Sequence, residues 1–222
     1  MSTIAYIPAR GGSKGIPRKN MVNCAGKPLL QWSVDAAKAS KLVDYVVVSS
    51  DDDDILLAAE SYGAIPQHRS AEASNDTAQI EEGLIEFIDS WSGTDIKALV
   101  ILQPTSPQRE GWQIDEAINL LSQTDSVVGV VSSHSLQWKE HSAARPMFDR
   151  AARPRRQDMD EVYEECGSLY VTTPHILKFT GVRSGGRVAL YVMRESDRYQ
   201  IDSPFDLAVV EGILVARYAT VS

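Results

Sequence analysis

Short apolar runs rich in β-branched residues alternate along this chain with segments of helical period, and few architectures accommodate that rhythm. The runs are TIAYIPA (3–9), YVVVSS (45–50), ALVILQ (98–103), SVVGVV (126–131), GSLYVT (167–172) and VALYVM (188–193). Such alternation predicts an α/β domain around a mostly parallel sheet. Between the runs, Pro28–Ala39 reads as a helix opened by proline, and Asp52–Tyr62 as one closed by Gly63. From Thr77 to Trp91 the apolar residues Ile80, Leu84, Phe87, Ile88 and Trp91 recur at helical spacing, and Ile114, Ala117, Ile118 and Leu121 do the same. Ser203, Pro204 and Asp206 suit the start of a last helix, whose body LAVVEGILVARY is apolar nearly all round and so is expected to pack on both sides.

The segment 134–165 breaks the rhythm. It is rich in Arg, Pro and Gln, and a structureless stretch of that length is unusual inside a compact domain. We read residues 1–222 as one domain carrying 134–165 as an inserted arm that covers the site or builds a subunit contact.

Composition narrows the partners. The 222 residues carry 22 Lys and Arg against 30 Asp and Glu, a net charge of -8, which argues against a broad nucleic-acid interface. No apolar run approaches the roughly 20 residues of a membrane span, and Met1–Ala9 does not read as a signal peptide. The two cysteines, Cys24 and Cys166, have no zinc spacing, and His68, His134, His141 and His175 match no ligand pattern. The expectation is a soluble, cytoplasmic protein. Positive charge is nevertheless concentrated. No acid occurs from Met1 to Val34, where Arg10, Lys14, Arg18, Lys19 and Lys27 fall, and Arg145, Arg150, Arg153, Arg155 and Arg156 form a second group. A local cationic patch on an acidic protein points to a small anionic ligand.

The richest motif is PARGGSKGIPRKN (8–20), directly after the first predicted strand. Gly11, Gly12 and Gly15 would let backbone amides curl around an anion, with Arg10, Lys14, Arg18 and Lys19 adding charge. Departing pyrophosphate gains charge as its P–O bond breaks, so triphosphate chemistry suits this combination. The motif is neither a Walker A loop nor a GxGxxG fingerprint.

This loop resembles the signature of the acylneuraminate cytidylyltransferases, the CMP-sialic acid synthetases and their relatives for other nine-carbon sugars. The resemblance continues through AGKPLLQWS (25–33), VVVSSDDDDI (46–55), RSAEASNDTA (69–78), LQPTSPQR (102–109), RRQDMDEVYEECGSLYV (155–171) and YQIDSPFDL (199–207). It implies a three-layer α/β/α, Rossmann-like nucleotide-diphospho-sugar transferase fold with a protruding dimerisation arm. It also implies transfer of CMP from CTP to the anomeric hydroxyl of a sialic-acid-like nonulosonic acid, with Mg2+ and release of pyrophosphate, in a homodimer. By position, Arg10, Gly11, Gly12, Lys14, Lys19 and Asn20 match the triphosphate loop. Arg69 and Thr77 match the cytidine side, Gln103 and Tyr170 the sugar side, and Lys139 and Arg156 arm residues that enter the partner subunit's site.

Positioning and charge neutralisation should dominate an in-line attack on phosphorus. Lys19 is the choice for the α-phosphate and Arg10, with its planar fork, for the β- and γ-phosphate oxygens. Asp202 is the expected carboxylate for Mg2+, which takes most of its ligands from phosphate and water. Two positions depart from the family pattern: Gln200, where an aspartate is common, and Cys166, where asparagine is. Asp51–Asp54 reads as helix-start acids, with a metal-binding motif of a nucleotide-sugar-dependent glycosyltransferase as its rival. A non-catalytic nucleotide-binding protein is the other rival. The sequence leaves open the acceptor sugar, the general base, and whether Trp112 and Trp138 serve core or interface.

Overall fold

A computed structural model of the protein describes residues 1–75, 77–140, 143–159 and 161–219. The chain opens with β1 (Ser2–Pro8), a long loop, and a small ribbon of β2 (Asn23–Cys24) and β3 (Lys27–Pro28) leading into α1 (Leu29–Ala39). Then follow β4 (Tyr45–Ser50), α2 (Asp53–Ser61), β5 (Ile65–His68), α3 (Ala71–Ser74), α4 (Ile80–Ser90), β6 (Ile96–Leu102), α5 (Gly111–Leu120) and β7 (Ser126–Ser133). Strands β8 (Trp138–Glu140) and β9 (Ala144–Pro146) precede β10 (Val162–Thr172), α6 (Pro174–Thr180), β11 (Val188–Val192) and α7 (Pro204–Ala219).

Seven strands form one sheet in the order β11-β7-β10-β6-β1-β4-β5. β1 runs parallel to β4 and β6, β4 to β5, and β7 to β11, while β10 is antiparallel to both its neighbours. No α-helix intervenes between β7 and β10 among the described residues, so the chain returns beside the strand it has just left instead of crossing over. The sheet is therefore mostly parallel, as the alternation predicts, with one reversed strand inside it.

Side-chain alternation along β1 divides the core in two. Ala5 and Ile7 join Leu30, Val34, Val46, Val48, Ile114 and Ala117 in a cluster that includes residues of α1, α2 and α5. Ile4 and Tyr6 face the other way, to Leu84 and Phe87 of α4 and Leu177 of α6. These are the three layers. A third cluster gathers Ile16 of the loop after β1, Leu29 and Trp32 of α1, Ile201, and Val210 and Leu214 of α7. It ties that loop to the C-terminal part of the fold.

Helix ends follow local chemistry. The Asp52 carboxylate accepts from the Ile55 amide at 3.1 Å and caps α2, and Gly63 takes the left-handed conformation (φ 81°) beyond its C-terminus. The helix expected from Thr77 begins at Ile80, because Asn75 Oδ1 accepts from the amides of Thr77 and Ala78 (each 2.9 Å) and holds them in a turn. α7 starts as expected, with Asp206 accepting from the amides of Ser203 (2.8 Å) and Asp202 (3.1 Å). Hydrogen bonds from Ser203 and the Asp202 amide hold the Asp206 carboxyl below the usual range, so this cap is complete above the ordinary aspartate pKa and is lost in stronger acid. The expectation that α7 packs on both sides is corrected. It buries Val210 and Leu214 and stacks the half-exposed Tyr218 on Trp32 (ring centroids 5.4 Å apart), while Phe205 is 76% exposed and Val215 stands open.

The 134–165 segment is less irregular than its composition suggests. β8 and β9 pair antiparallel as a separate two-stranded sheet, Trp138 against Pro146, with the Trp138 and Phe148 rings edge-on at 5.6 Å. Among the described residues no helix is long and apolar enough to cross a membrane.

Phe87 is wholly buried between the rings of Tyr6 and Trp91, each 5.4 Å away, under the centre of the sheet. Phe87→Ala should lower the unfolding free energy by about 3–5 kcal/mol, read by urea denaturation. A loss below about 1 kcal/mol would show that α4 is not anchored to the sheet as described.

Candidate active site

The parallel strands β1, β4 and β6 deliver their C-terminal ends to one edge of the sheet, where open α/β folds place their ligands. A cavity of about 470 Å³ opens there. Its walls come from the loop after β1 (Arg10, Lys14, Lys19), from Arg69, from Gln103–Thr105 after β6, and from Asp202. Seven of the residues expected from sequence thus meet: Arg10, Lys14, Lys19, Asn20, Arg69, Gln103 and Asp202.

The β1 loop has a definite geometry. Lys19 begins a short 3-10 turn, and its ammonium donates to Asp202 Oδ1 at 2.8 Å across the cavity rim. Asn20 is buried and donates to the Arg10 carbonyl at 2.9 Å, so it closes the loop on itself. A Cβ on Gly15 would overlap the carbonyl oxygen of Asp202, which makes glycine the residue that lets the two segments touch. Gly11 is needed for a similar reason, since its Cβ would lie 2.7 Å from Asp52 Oδ2. A Cβ on Gly12 would meet nothing within 4 Å.

The Gly11 amide, expected to help cradle a bound anion, donates to the carboxylate of Asp51 (Oδ1) at 2.9 Å. Gly11 and Gly12 also stand outside the cavity lining. Arg18 pairs with Asp54 at 2.8 Å rather than entering the cavity. Asp51–Asp54 is therefore occupied with helix capping and with holding this loop. Among the described residues no group of three or more His, Cys, Asp or Glu could hold a metal.

Arg69 is 5% exposed and donates from Nε to Ser74 Oγ at 3.1 Å, which presents its guanidinium to the cavity wall. Thr77 does not line the cavity. Its hydroxyl donates to Asn75 Oδ1 at 2.7 Å, part of the turn that shapes the wall carrying Asn75 and Ala78.

Tyr170 is the clearest correction. It pairs in register with Ile101 and shares that residue's face of the sheet, inside the core under α4 and α6. Its hydroxyl donates to Glu165 at 2.9 Å, Arg183 lies 4.3 Å above its ring, and burial pushes the phenol up to about 12. Lys139 lies on β8 opposite Arg145, exposed and away from this chain's cavity. Arg156 begins a 3-10 turn, and its side chain lies outside the described residues.

Sequence reasoning missed Arg109. It is buried and donates to the carbonyls of Gln103 (3.0 Å and 2.9 Å) and Ser106, and to the hydroxyls of Ser33 (2.6 Å) and Ser168 (3.4 Å). Burial pulls this guanidinium down to about 9, still well above neutrality, so it remains charged and pins the loop that presents Gln103. Its place in LQPTSPQR is the only sequence signal it offers.

The sequence profile of the family described as cytidylyltransferase matches residues 4–219. The chain belongs to the cytidylyltransferase family. It is 35% identical over 215 residues to N-acylneuraminate cytidylyltransferase A of Danio rerio, covering 93% of this chain and 49% of that one. It is 30% identical over 224 residues to the CMP-N,N'-diacetyllegionaminic acid synthase of Legionella pneumophila, covering 96% and 97%. The chain thus spans about half the length of the Danio rerio relative and nearly all of the Legionella one. A solved CMP:2-keto-3-deoxy-manno-octonic acid synthetase complexed with CTP superposes with a TM-score of 0.71 over 98% of this chain at 15% identity, a likeness of fold.

The contrast between the loop glycines is testable. Gly15→Ala should cost about 1–3 kcal/mol of stability, the range for overpacking, whereas Gly12→Ala should stay within about 0.5 kcal/mol. Equal urea midpoints for the two variants would show that the loop does not press on Asp202 in solution.

Proposed function

We propose that this cytidylyltransferase transfers CMP from CTP to the anomeric hydroxyl of a sialic-acid-like nonulosonic acid, of the N-acylneuraminate or legionaminate/pseudaminate type, and releases pyrophosphate. The observation that carries the reading is the convergence of Arg10, Lys14 and Lys19 with Asp202 in one cavity at the ends of the parallel strands, in a chain of this family. The cations are grouped where a triphosphate would shed charge with its leaving group, and Arg69 with the wall carrying Asn75 and Ala78 forms the side left for the base. Gln103, presented by the Arg109-pinned loop, is assigned to the acceptor sugar. The names of the relatives support an acidic sugar acceptor.

In this reading the protein positions and neutralises. The acceptor hydroxyl approaches the α-phosphorus in line, and its P–O bond forms as its proton passes to water and the bond to pyrophosphate breaks. Lys19 compensates charge on the α-phosphate oxygens, and Arg10 and Lys14 receive the pyrophosphate.

The donor set fits Mg2+, which is commonly held by one or two carboxylates together with substrate phosphates and water. Asp202 supplies such a carboxylate at the cavity, with its side chain 74% exposed. When bound, the ion would offset phosphate charge and orient the triphosphate. Gln200 is a poorer choice. Its amide lies where a Cβ on Gly167 would be, at 2.5 Å, and it is absent from the cavity lining.

We read residues 1–222 as one catalytic domain of a cytoplasmic homodimer, with the 134–165 arm reaching the partner subunit. Lys139 and Arg156 would then serve the partner's sugar carboxylate.

The deciding experiment is pyrophosphate release with CTP, Mg2+ and a panel of nonulosonic acids. Turnover with at least one acid is expected, and CTP binding without turnover for any would reduce the protein to a nucleotide binder. Lys19→Ala should depress kcat by roughly 10²-fold, comparable to removing an oxyanion donor. Asp202→Asn should raise the Mg2+ requirement steeply, and Gln200→Ala mildly. The opposite ranking would move the metal to Gln200.

A further inference from the structure

The acidic run Asp51–Asp54 is not absorbed by the chemistry above, yet it meets the β1 loop at both ends. At the entry, the Gly11 amide donates to Asp51 Oδ1 at 2.9 Å, across 40 residues of sequence. At the exit, Arg18 donates to Asp54 Oδ2 at 2.8 Å and lies 3.9 Å from Asp52 Oδ1. Arg18 holds a left-handed backbone (φ 51°), uncommon for a residue with a side chain, immediately before the turn that carries Lys19. At the entry tether Gly11 also lies so close to Asp52 that a Cβ would collide with it. Asp52 cannot easily yield, because its carboxylate caps α2 through the Ile55 amide. The rigid N-terminus of α2 is thus a template against which the loop is set.

We infer that Asp51 and Asp54 are positioning residues for nucleotide binding, with Asp51 the stronger. Both act through the loop and neither touches the nucleotide. The inference rests on the reading of the loop as the CTP triphosphate site. Magnitudes separate the two. The Arg18–Asp54 pair is exposed on both sides (56% and 67%), and such pairs contribute little. The Asp51 bond is exposed as well, but it joins a charged acceptor to a main-chain donor, a stronger class than an exposed side-chain ion pair, and it fixes the peptide plane between Arg10 and Gly11. The function required of Asp51 is acceptance of a hydrogen bond, so an amide oxygen should serve where a methyl group cannot.

The test is CTP affinity by calorimetry and the split between KM and kcat for Asp51→Ala, Asp51→Asn and Asp54→Ala, with amide hydrogen exchange at Gly11 in the nucleotide-free protein. Asp51→Ala should weaken CTP binding about ten-fold, chiefly in KM, and accelerate exchange at Gly11. Asp51→Asn should restore most of the affinity and the exchange protection, and Asp54→Ala should weaken CTP binding about two-fold. Unchanged CTP affinity in Asp51→Ala would overturn the inference, as would an Asp51→Asn as impaired as the alanine variant, because the charge and not the hydrogen bond would then matter. If the unaltered protein failed to bind CTP, the proposed function would fall. Gly11 exchange would then report separately whether the tether exists.

Discussion

The closeness of the β1 loop to the backbone of Asp202 is the constraint on which the cavity depends. Gly15 meets the Asp202 carbonyl at a distance no Cβ permits, Ile16 and Ile201 share a buried cluster, and the Ile201 amide donates to the Thr105 carbonyl at 2.8 Å. Three segments far apart in sequence are thereby joined: the glycine-rich loop, the turn after β6 and the entry to α7. Their apolar residues fix the distance between loop and carboxylate, and the polar ones at the surface inherit it. Loosening this contact would separate Lys19 from Asp202 without altering either side chain.

How far such an arrangement can be read in advance depends on whether its partners are neighbours in sequence. The cation-and-glycine loop is legible because Arg10, Lys14 and Lys19 fall within ten residues. The two faces of β1 are legible because alternation sends Ile4 and Tyr6 one way and Ala5 and Ile7 the other. Asp206 as a cap for α7 is local as well. Tyr170 is not legible, because its face is set by register against Ile101, and β10 shifts register between Glu165 and Tyr170. An apolar strand can present either face to a cavity until its neighbours are known.

Arg109 and Asp51 illustrate the same limit for polar groups. Arg109 draws its partners from Ser33 and Ser168 as well as from the adjacent turn, and nothing in its own surroundings in sequence marks it as buried. Asp51 stands in a run of four acids whose local role, complementing a helix N-terminus, suffices to explain them. Only the fold adds Gly11 and Arg18. α7 fails in the opposite direction: its apolar composition suggests burial all round, yet one side is left open. Composition reports what a surface could bury and not what is present to cover it.

The ion pair between Lys19 and Asp202 follows from the same geometry. The lysine side chain is 15% exposed, held by its surroundings, while the aspartate is 74% exposed. A pair with so exposed a partner contributes about 0–1 kcal/mol. Breaking the Lys19–Asp202 contact therefore costs little. Asp202, once released, has both oxygens free of Lys19 and still lines the cavity. In the resting protein each group neutralises the other, so neither an uncompensated lysine nor an isolated carboxylate has to be sustained in the cavity before the substrate enters. The pair is weak enough to part and close enough to reform.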